Sequence, residues 1–397
     1  MKHWKETTLG EVAEDIAYGY TESASIEAVG PKFLRITDIQ DDFINWDSVP
    51  YCPISEKDHK KYKLEIGDVV IARTGNSTGA TATIKKEVDA VFASYLIRFK
   101  IDAKKADYLF IDFLLRSEYW KAFVKSVKGG SAQGGANAKN FAEFPILLPP
   151  LPEQKAIAGI LSSFDDKIEL LRRQNKTLEQ IAQTIFKQSF VKDESWDGNL
   201  SEYLKVQGGY AFKGDDFKET GFAGIIKITN ITMSVVDIHN SQFVGEDIVR
   251  DIDEDKFRIK DGDFLIAMTG AEIGKIGIVE KTKKQIWLNQ RVGKLVAKVP
   301  YGDIAGFLAL RSREGQEHII DAASGSAQAN ISSTGIEEMA FATYSEKVTN
   351  SFGEKVKPLF EKITFNLSQI QTLSKLRDAL LPKLMRGEIR VKNGRGT

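Results

Sequence analysis

Two stretches of the chain carry apolar residues in alternating steps of about four and three. In the first, Ile157, Leu161, Phe164, Ile168, Leu171, Leu178 and Ile185 hold the spacing, with Asn175 falling in the same seam. In the second, Phe352, Val356, Leu359, Ile363, Ile370, Leu373, Leu380 and Leu384 hold it, interrupted by Asn366 and Arg377. Spacing of this kind over several heptads predicts long coiled-coil helices, and polar residues within such a seam weaken it while fixing its register. Pro152 suits the first turn of one helix, and Ser345 can cap the other. A helix of about 38 residues reaches about 57 Å at 1.5 Å per residue, so an antiparallel pair would act as a spacer.

The rest of the chain has shorter periods and is duplicated. The segment LEIGDVVIART at residues 64–74 matches IKDGDFLIAMT at residues 259–269, an offset of 195, and Gly75 and Gly79 fall on Gly270 and Gly274. The same offset lays Arg116-Ser117 on Arg311-Ser312, and Ser131-Ala132-Gln133 on Ser326-Ala327-Gln328. Upstream, residues 33–39 match residues 225–231 and read as a strand. Apolar runs bounded by Gly-bearing turns predict strands, and one helix is expected in each copy, near residues 108–125 and 305–317. The expected fold is therefore α+β: two tandem domains and two long antiparallel helices related by a pseudo-two-fold internal repeat. Its boundaries are a first domain at 1–150, a first helix at 151–192, a second domain at 193–343, and a second helix with its tail at 344–390.

Composition narrows the class. A chain of 397 residues with 42% hydrophobic and 28% charged residues is of globular type and long enough for two domains. One cysteine, Cys52, cannot form an internal disulfide, and neither a secretory signal nor an apolar run long enough to span a membrane is evident, so a cytoplasmic protein is expected. The net charge of zero does not announce a polyanion partner. Charge is nevertheless segregated: residues 281–298 hold Lys281, Lys283, Lys284, Arg291, Lys294 and Lys298 without an acid, whereas residues 246–255 are acidic.

Several chemistries are absent from the sequence. The turn Gly270-Ala271-Glu272-Ile273-Gly274-Lys275 lacks the spacing and the hydroxyl of a phosphate-cradling loop. The Gly-Ser segments at 130–131 and 325–326 are not nucleophile elbows. Pro149-Pro150 lacks the flanking residues of an amino-methyltransferase site. His3, His59, His239 and His318 have no metal-ligand spacing, so no metal is expected. No acid-base or nucleophilic set recurs in both copies, which leaves recognition rather than catalysis.

Against this background the chain resembles the specificity subunits of type I restriction-modification enzymes. The carriers are Trp4-Lys5 with Thr8-Leu9-Gly10-Glu11-Val12, residues 33–39, Gly67-Asp68-Val69 through Arg73-Thr74-Gly75, the junction Leu148-Pro149-Pro150-Leu151-Pro152-Glu153-Gln154, and the ending at 380–391. The second junction, Thr343-Tyr344-Ser345-Glu346-Lys347, departs from the proline-rich pattern. The resemblance implies a non-catalytic subunit whose two target-recognition domains each bind part of a split site in double-stranded DNA. It further implies docking of two modification (methyltransferase) subunits on the paired helices, with restriction (endonuclease and translocase) subunits joining that core. S-adenosylmethionine and ATP then belong to the partners, and this chain carries no cofactor of its own. A protein-interaction scaffold with two spaced domains is the competing reading.

The repeat also sorts candidate DNA contacts, because phosphate contacts position a protein while base contacts specify sequence. Shared positions are assigned to scaffold or backbone: Thr74, Gly75, Ser131, Gln133, Thr269, Gly270, Ser326 and Gln328. Positions that differ are candidate base readers: Arg73 against Met268, Asn76 and Ser77 against Ala271 and Glu272, and Ser94 and Tyr95 against Asn289 and Gln290. Lys85, Lys86, Lys275, Lys283, Lys284 and Arg291 are assigned to phosphates.

Overall fold

The computed structural model describes residues 4–40, 43–128, 136–190, 197–323 and 329–391. Its contacts divide into two units, Met1–Asp166 with Ser374–Thr397, and Lys167–Leu373. In the first unit, strands β1 (Ala13–Tyr18), β2 (Asp68–Ala72), β3 (Thr81–Thr83) and β4 (Leu96–Ile101) form an antiparallel sheet in the order β1-β4-β2-β3. Every residue of β2 is buried because both faces of the strand are covered. With the two-residue period of a strand, Val69 and Ile71 point into one core and Val70 and Ala72 into the other. That double burial explains a continuous apolar run where a half-exposed strand would alternate.

Helices α1 (Tyr108–Leu115) and α2 (Glu118–Lys128) follow the sheet. The single helix expected over residues 108–125 is therefore two. The break lies at Arg116-Ser117, where the Ser117 hydroxyl donates to the Leu114 carbonyl at 2.6 Å and accepts from the Trp120 amide at 3.4 Å. Next comes the long helix α3 (Leu151–Phe190).

The second unit repeats the plan with β5 (Leu204–Gly208), β6 (Phe264–Ala267), β7 (Ile276–Ile278) and β8 (Val292–Ala297), in the equivalent order β5-β8-β6-β7. Leu265 and Ala267 face one core, and Phe264 and Ile266 the other. Here too the expected helix is split, into α4 (Gly302–Leu310) and α5 (Arg313–Ala323), with the Ser312 hydroxyl accepting from the Gly315 amide. The strand expected over residues 33–39 also ends early in both copies. It stops at Leu34 and at Ile226, and a single 3-10 turn follows, closed by Asp38 and Asn230 accepting from the Arg35 and Lys227 amides. A second long helix, α6 (Glu346–Met385), completes the architecture of two mixed domains and two long helices.

Within each unit the long helices belong to the core. In the first unit Ile157 and Leu161 of α3 share a core with Leu384 and Met385 of α6. In the second, Ile168, Leu171, Phe186 and Phe190 of α3 pack with Phe352, Val356, Phe360, Ile363 and Ile370 of α6. Partners Asn175–Asn366 and Phe190–Phe352 run in opposite chain directions, so the helices are antiparallel there. Leu178, Ile185, Leu359, Leu373 and Leu380 are partly buried against the same cores, while Phe164 is half-buried outside them. Each fully buried side chain of this size contributes about 1.5–3 kcal/mol.

Candidate nucleic-acid interface

The turn joining β2 to β3 and its counterpart joining β6 to β7 have the same backbone. Gly75 and Gly79 have φ of +69° and +88°, and Gly270 and Gly274 have +70° and +79°. Glycine takes this left-handed region without the steric cost of a Cβ, so these matched positions serve the backbone. Amide hydrogen bonds close both turns alike, from Gly79 to Ala72 and from Gly274 to Ala267.

On that common frame the exposed side chains differ. In the first unit Asn76 and Ser77 are exposed at the turn, whereas the second presents Ala271 and a Glu272 that is ion-paired to Lys275. Arg73 lies with its guanidinium 5.2 Å from the Tyr18 ring centroid, and its Nε donates to the Ser94 carbonyl at 3.0 Å. Tyr95 is 57% exposed beside them. In the second unit Met268, matched to Arg73, is buried, and its amide donates to the Arg291 carbonyl as that of Arg73 donates to Tyr95. The residues that match Ser94 and Tyr95 are therefore Gln290 and Arg291, one position on from the expected pair, and both are exposed. Tyr18 was not among the sequence candidates. It ends an edge strand as an aromatic 45% exposed, and the matching residue, Gly208, has no ring at all.

Four of the candidates are engaged within the protein. Asn289 is buried, with its backbone in a bridge to Tyr210, so its amide is not displayed. Lys85 lies 2.8 Å from the Asp112 carboxylate, which also takes Arg116 at 2.6 Å. Arg116 continues at 2.9 Å to Asp165 of α3, which takes Arg377 of α6 at 2.8 Å. Lys85 is therefore one end of an internal ionic chain. Lys275 is held by Glu272, and Lys284 donates to the Ile238 carbonyl at 3.2 Å with His239 Nδ1 at 3.0 Å. By contrast Lys86, Lys283 and Arg291 are exposed and form no ion pair among the described residues. Thr74 and Thr269 are half-buried in their turns. Ser131, Gln133, Ser326 and Gln328 lie outside the described residues.

Other titratable groups serve structure. Burial pushes the carboxyls of Asp68 and Asp263 above the ordinary aspartate range, although each accepts a backbone amide, from Glu65 and Lys260. Burial likewise raises Glu179 of α3, which faces Arg311 at 3.2 Å. His59 meets Asp89, His239 meets Glu280, and His318 meets the Gly335 carbonyl, so each described histidine has its own partner. Among the described residues, no helix is long and apolar enough to cross a membrane.

Comparison with known proteins accounts for this arrangement. The model of the "Type I restriction modification DNA specificity domain" matches twice, over residues 1–180 and 193–342. The type I restriction enzyme MjaVIII specificity subunit of Methanocaldococcus jannaschii is 25% identical over 84% of this chain and 82% of its own length. The HindI specificity subunit of Haemophilus influenzae is 23% identical over 98% of this chain and its full length (100%). The crystal structure of the type I restriction-modification S subunit from M. genitalium shares the fold, with a TM-score of 0.60 at 16% identity over 96% of each chain.

Proposed function

We propose, from the premise that this chain belongs to the family of type I restriction-modification DNA specificity domains, that each of its two recognition domains reads one half of a bipartite DNA target. The observation that carries the reading is one scaffold with two chemistries. Gly75, Gly79, Gly270 and Gly274 hold the same turn twice, and the exposed side chains around it differ. Shared backbone suits a shared polyanion, and different side chains suit different bases. Arg73, Asn76, Ser77 and Tyr95 are the proposed readers of one half-site, and Gln290 and Arg291 those of the other.

The chain acts as a specificity subunit, and the chemistry falls to partners. In this proposal two modification subunits, which bind S-adenosylmethionine, methylate adenine, and restriction subunits consume ATP and cut DNA. The long helices are the docking surface. They expose Leu170 and Ile181 on α3, and Phe365 and Leu376 at the repeat-matched positions of α6, together with Arg172 and Lys176. Reversing the charge at Arg172 and Lys176 should weaken assembly without unfolding the chain.

The test is methylation mapping of the chain co-expressed with its modification partner. The expected motif has two short read segments, with centres about 10 bp or a multiple of that apart if they share one face of the duplex. A single continuous motif would overturn the reading.

A further inference from the structure

We infer that the groove between α2 and the turn after β2 grips the phosphodiester backbone of duplex DNA beside the first half-site, and that the second recognition domain lacks this grip. The inference rests on the DNA-reading function proposed above and adds a place and an asymmetry to it.

The groove has a volume of about 720 Å³ and is lined on one side by residues 76–81 and on the other by Lys121, Lys125 and Lys128. Trp120 and Val124 also line it, and among the described residues no acidic side chain does. The lysines stand at i, i+4 and i+7, one stripe along one helix face. Seven residues of helix rise about 10 Å, room for about three nucleotides of one strand at 3.4 Å each. The stripe faces the exposed Asn76 and Ser77, which places phosphate-binding cations directly beside a proposed base reader. Lys128 Nζ sits 3.5 Å from the Asn76 carbonyl, and among the described residues Lys121 pairs with the exposed Glu118 alone and Lys125 has no ion pair. Arg116 also lines the groove, but Asp112 and Asp165 take up its charge.

In the second unit the offset of 195 replaces the three lysines by Gln316, Ile320 and Ala323. Gln316 Nε2 donates to the carbonyls of Gly274 at 3.1 Å and Leu310 at 2.8 Å, tying the helix to the turn. In the first unit Trp120 Nε1 serves the matched carbonyl of Gly79 at 2.8 Å, so position 121 is free to carry a cation. The second turn's own lysine, Lys275, is neutralised by Glu272. A groove with cations on one side and hydrogen-bonding side chains on the other fits a nucleic-acid strand better than an acidic protein surface, which would not need the Asn76 and Ser77 groups.

The experiment uses the full chain assembled with its modification partner and two labelled duplexes, one carrying the mapped target and one of scrambled sequence. The double variant Lys125→Gln/Lys128→Gln should flatten the slope of log K against log salt by about 2, since each lost phosphate contact removes about 0.9. Binding should weaken by the same factor on both duplexes, because phosphates carry no sequence information. Arg313→Gln, which removes an exposed cation from α5, should leave the slope unchanged. An unaltered slope in the lysine variant overturns the inference, as does an equal loss in Arg313→Gln, which would reduce the effect to net charge. Loss of the modification partner with DNA affinity intact overturns it as well, making the groove a protein contact. A wild-type assembly that does not prefer its target would sink the recognition function, whereas the slope on scrambled duplex judges the groove by itself.

Discussion

The buried amide pair between the long helices gives the sharpest handle on how this chain pairs with itself. Asn366 Nδ2 donates to Asn175 Oδ1 at 2.8 Å, with Asn175 7% exposed and Asn366 fully buried. Replacing either residue by Leu strands the other amide, at about 1–3 kcal/mol. Replacing both substitutes an apolar contact for the pair and should be nearly neutral or stabilising. The two single losses should therefore not add, and a double-mutant cycle should show coupling above about 1 kcal/mol. In thermal melts of the full chain each single variant should fall by about 2–4 °C per kcal/mol lost, as for a unit of about 200 residues, and the double variant should recover. The repeat extends the consequence. Position 366 corresponds to Leu171 and position 175 to Ile370, so a first helix pairing with another first helix would set Asn175 against Leu171 twice over. Two stranded amides disfavour that arrangement by about 2–6 kcal/mol. Refolded at high concentration and sized by light scattering, the wild type should remain monomeric while the double Leu variant forms helix-exchanged dimers. Additive single losses, or equal exchange by both proteins, would refute the reasoning.

Three further outcomes follow from local geometry. Gly353→Ala should destabilise the second unit by about 1–3 kcal/mol despite alanine's better helix propensity, because its Cβ would fall 1.9 Å from Tyr301 Cδ2; a raised melting temperature would contradict this. Pro358→Ala, at an exposed position inside α6, should stabilise by up to about 3 kcal/mol by restoring a donor to the Glu354 carbonyl, and an unchanged melt would show that the helix has adapted to the proline. Asp68→Asn should stabilise at pH 7. Burial raises the folded-state pKa of Asp68, so its stabilising contribution is present below the unfolded value of about 3.9 and lost as pH rises through the folded value. The gain over wild type should thus vanish as pH falls below about 4, and a gap independent of pH would refute it.

The helix pair was legible because large apolar residues kept a repeat near 3.5, but its register was read too strictly. The expected seam runs on to Ile185, whereas the core takes Phe186 and Phe190 there, and on α6 it takes Phe360 and Leu367 besides Leu359 and Asn366. A helix of 3.6 residues per turn drifts about 20° per heptad against a strict seven-residue repeat. Where no supercoil cancels that drift, the buried face moves on by one position. The Gly-bearing turns were legible because positive φ leaves few alternatives to glycine. Charge was much less legible. Lys85 and Asp112 stand 27 residues apart in sequence, and nothing local says that they meet. The proposed lysine grip lies on a helix rather than in a matched loop, and its signal in the sequence is an i, i+4, i+7 stripe with no counterpart 195 residues later.

Where the chain obeys its repeat and where it departs from it fall into two physical classes. The obedient positions answer to the backbone or the core: the positive-φ glycines, the carboxylates of buried Asp68 and half-buried Asp263, and the Ser117 and Ser312 caps. Arg116 and Arg311 obey as well, each lying 5.2 Å from the ring of the preceding Phe113 or Phe307. The departures are polar and lie where the two copies must be told apart: Tyr18 against Gly208, the α2 lysines, Asn175 and Asn366, and the Asp165–Arg377 pair, whose repeat mates are Phe360 and Ala182. A chain that kept the repeat everywhere would have interchangeable helices and identical readers, so it could recognise only an inverted repeat. Reading two different half-sites requires both differences together, since distinct readers have a defined order on the DNA only if each long helix accepts the other and refuses its own copy. On the proposed reading of two different half-sites, the polar rungs in the seam and the unequal turns are two parts of one requirement. A variant with its rungs removed should therefore lose the asymmetry of its methylated motif before it loses affinity for DNA.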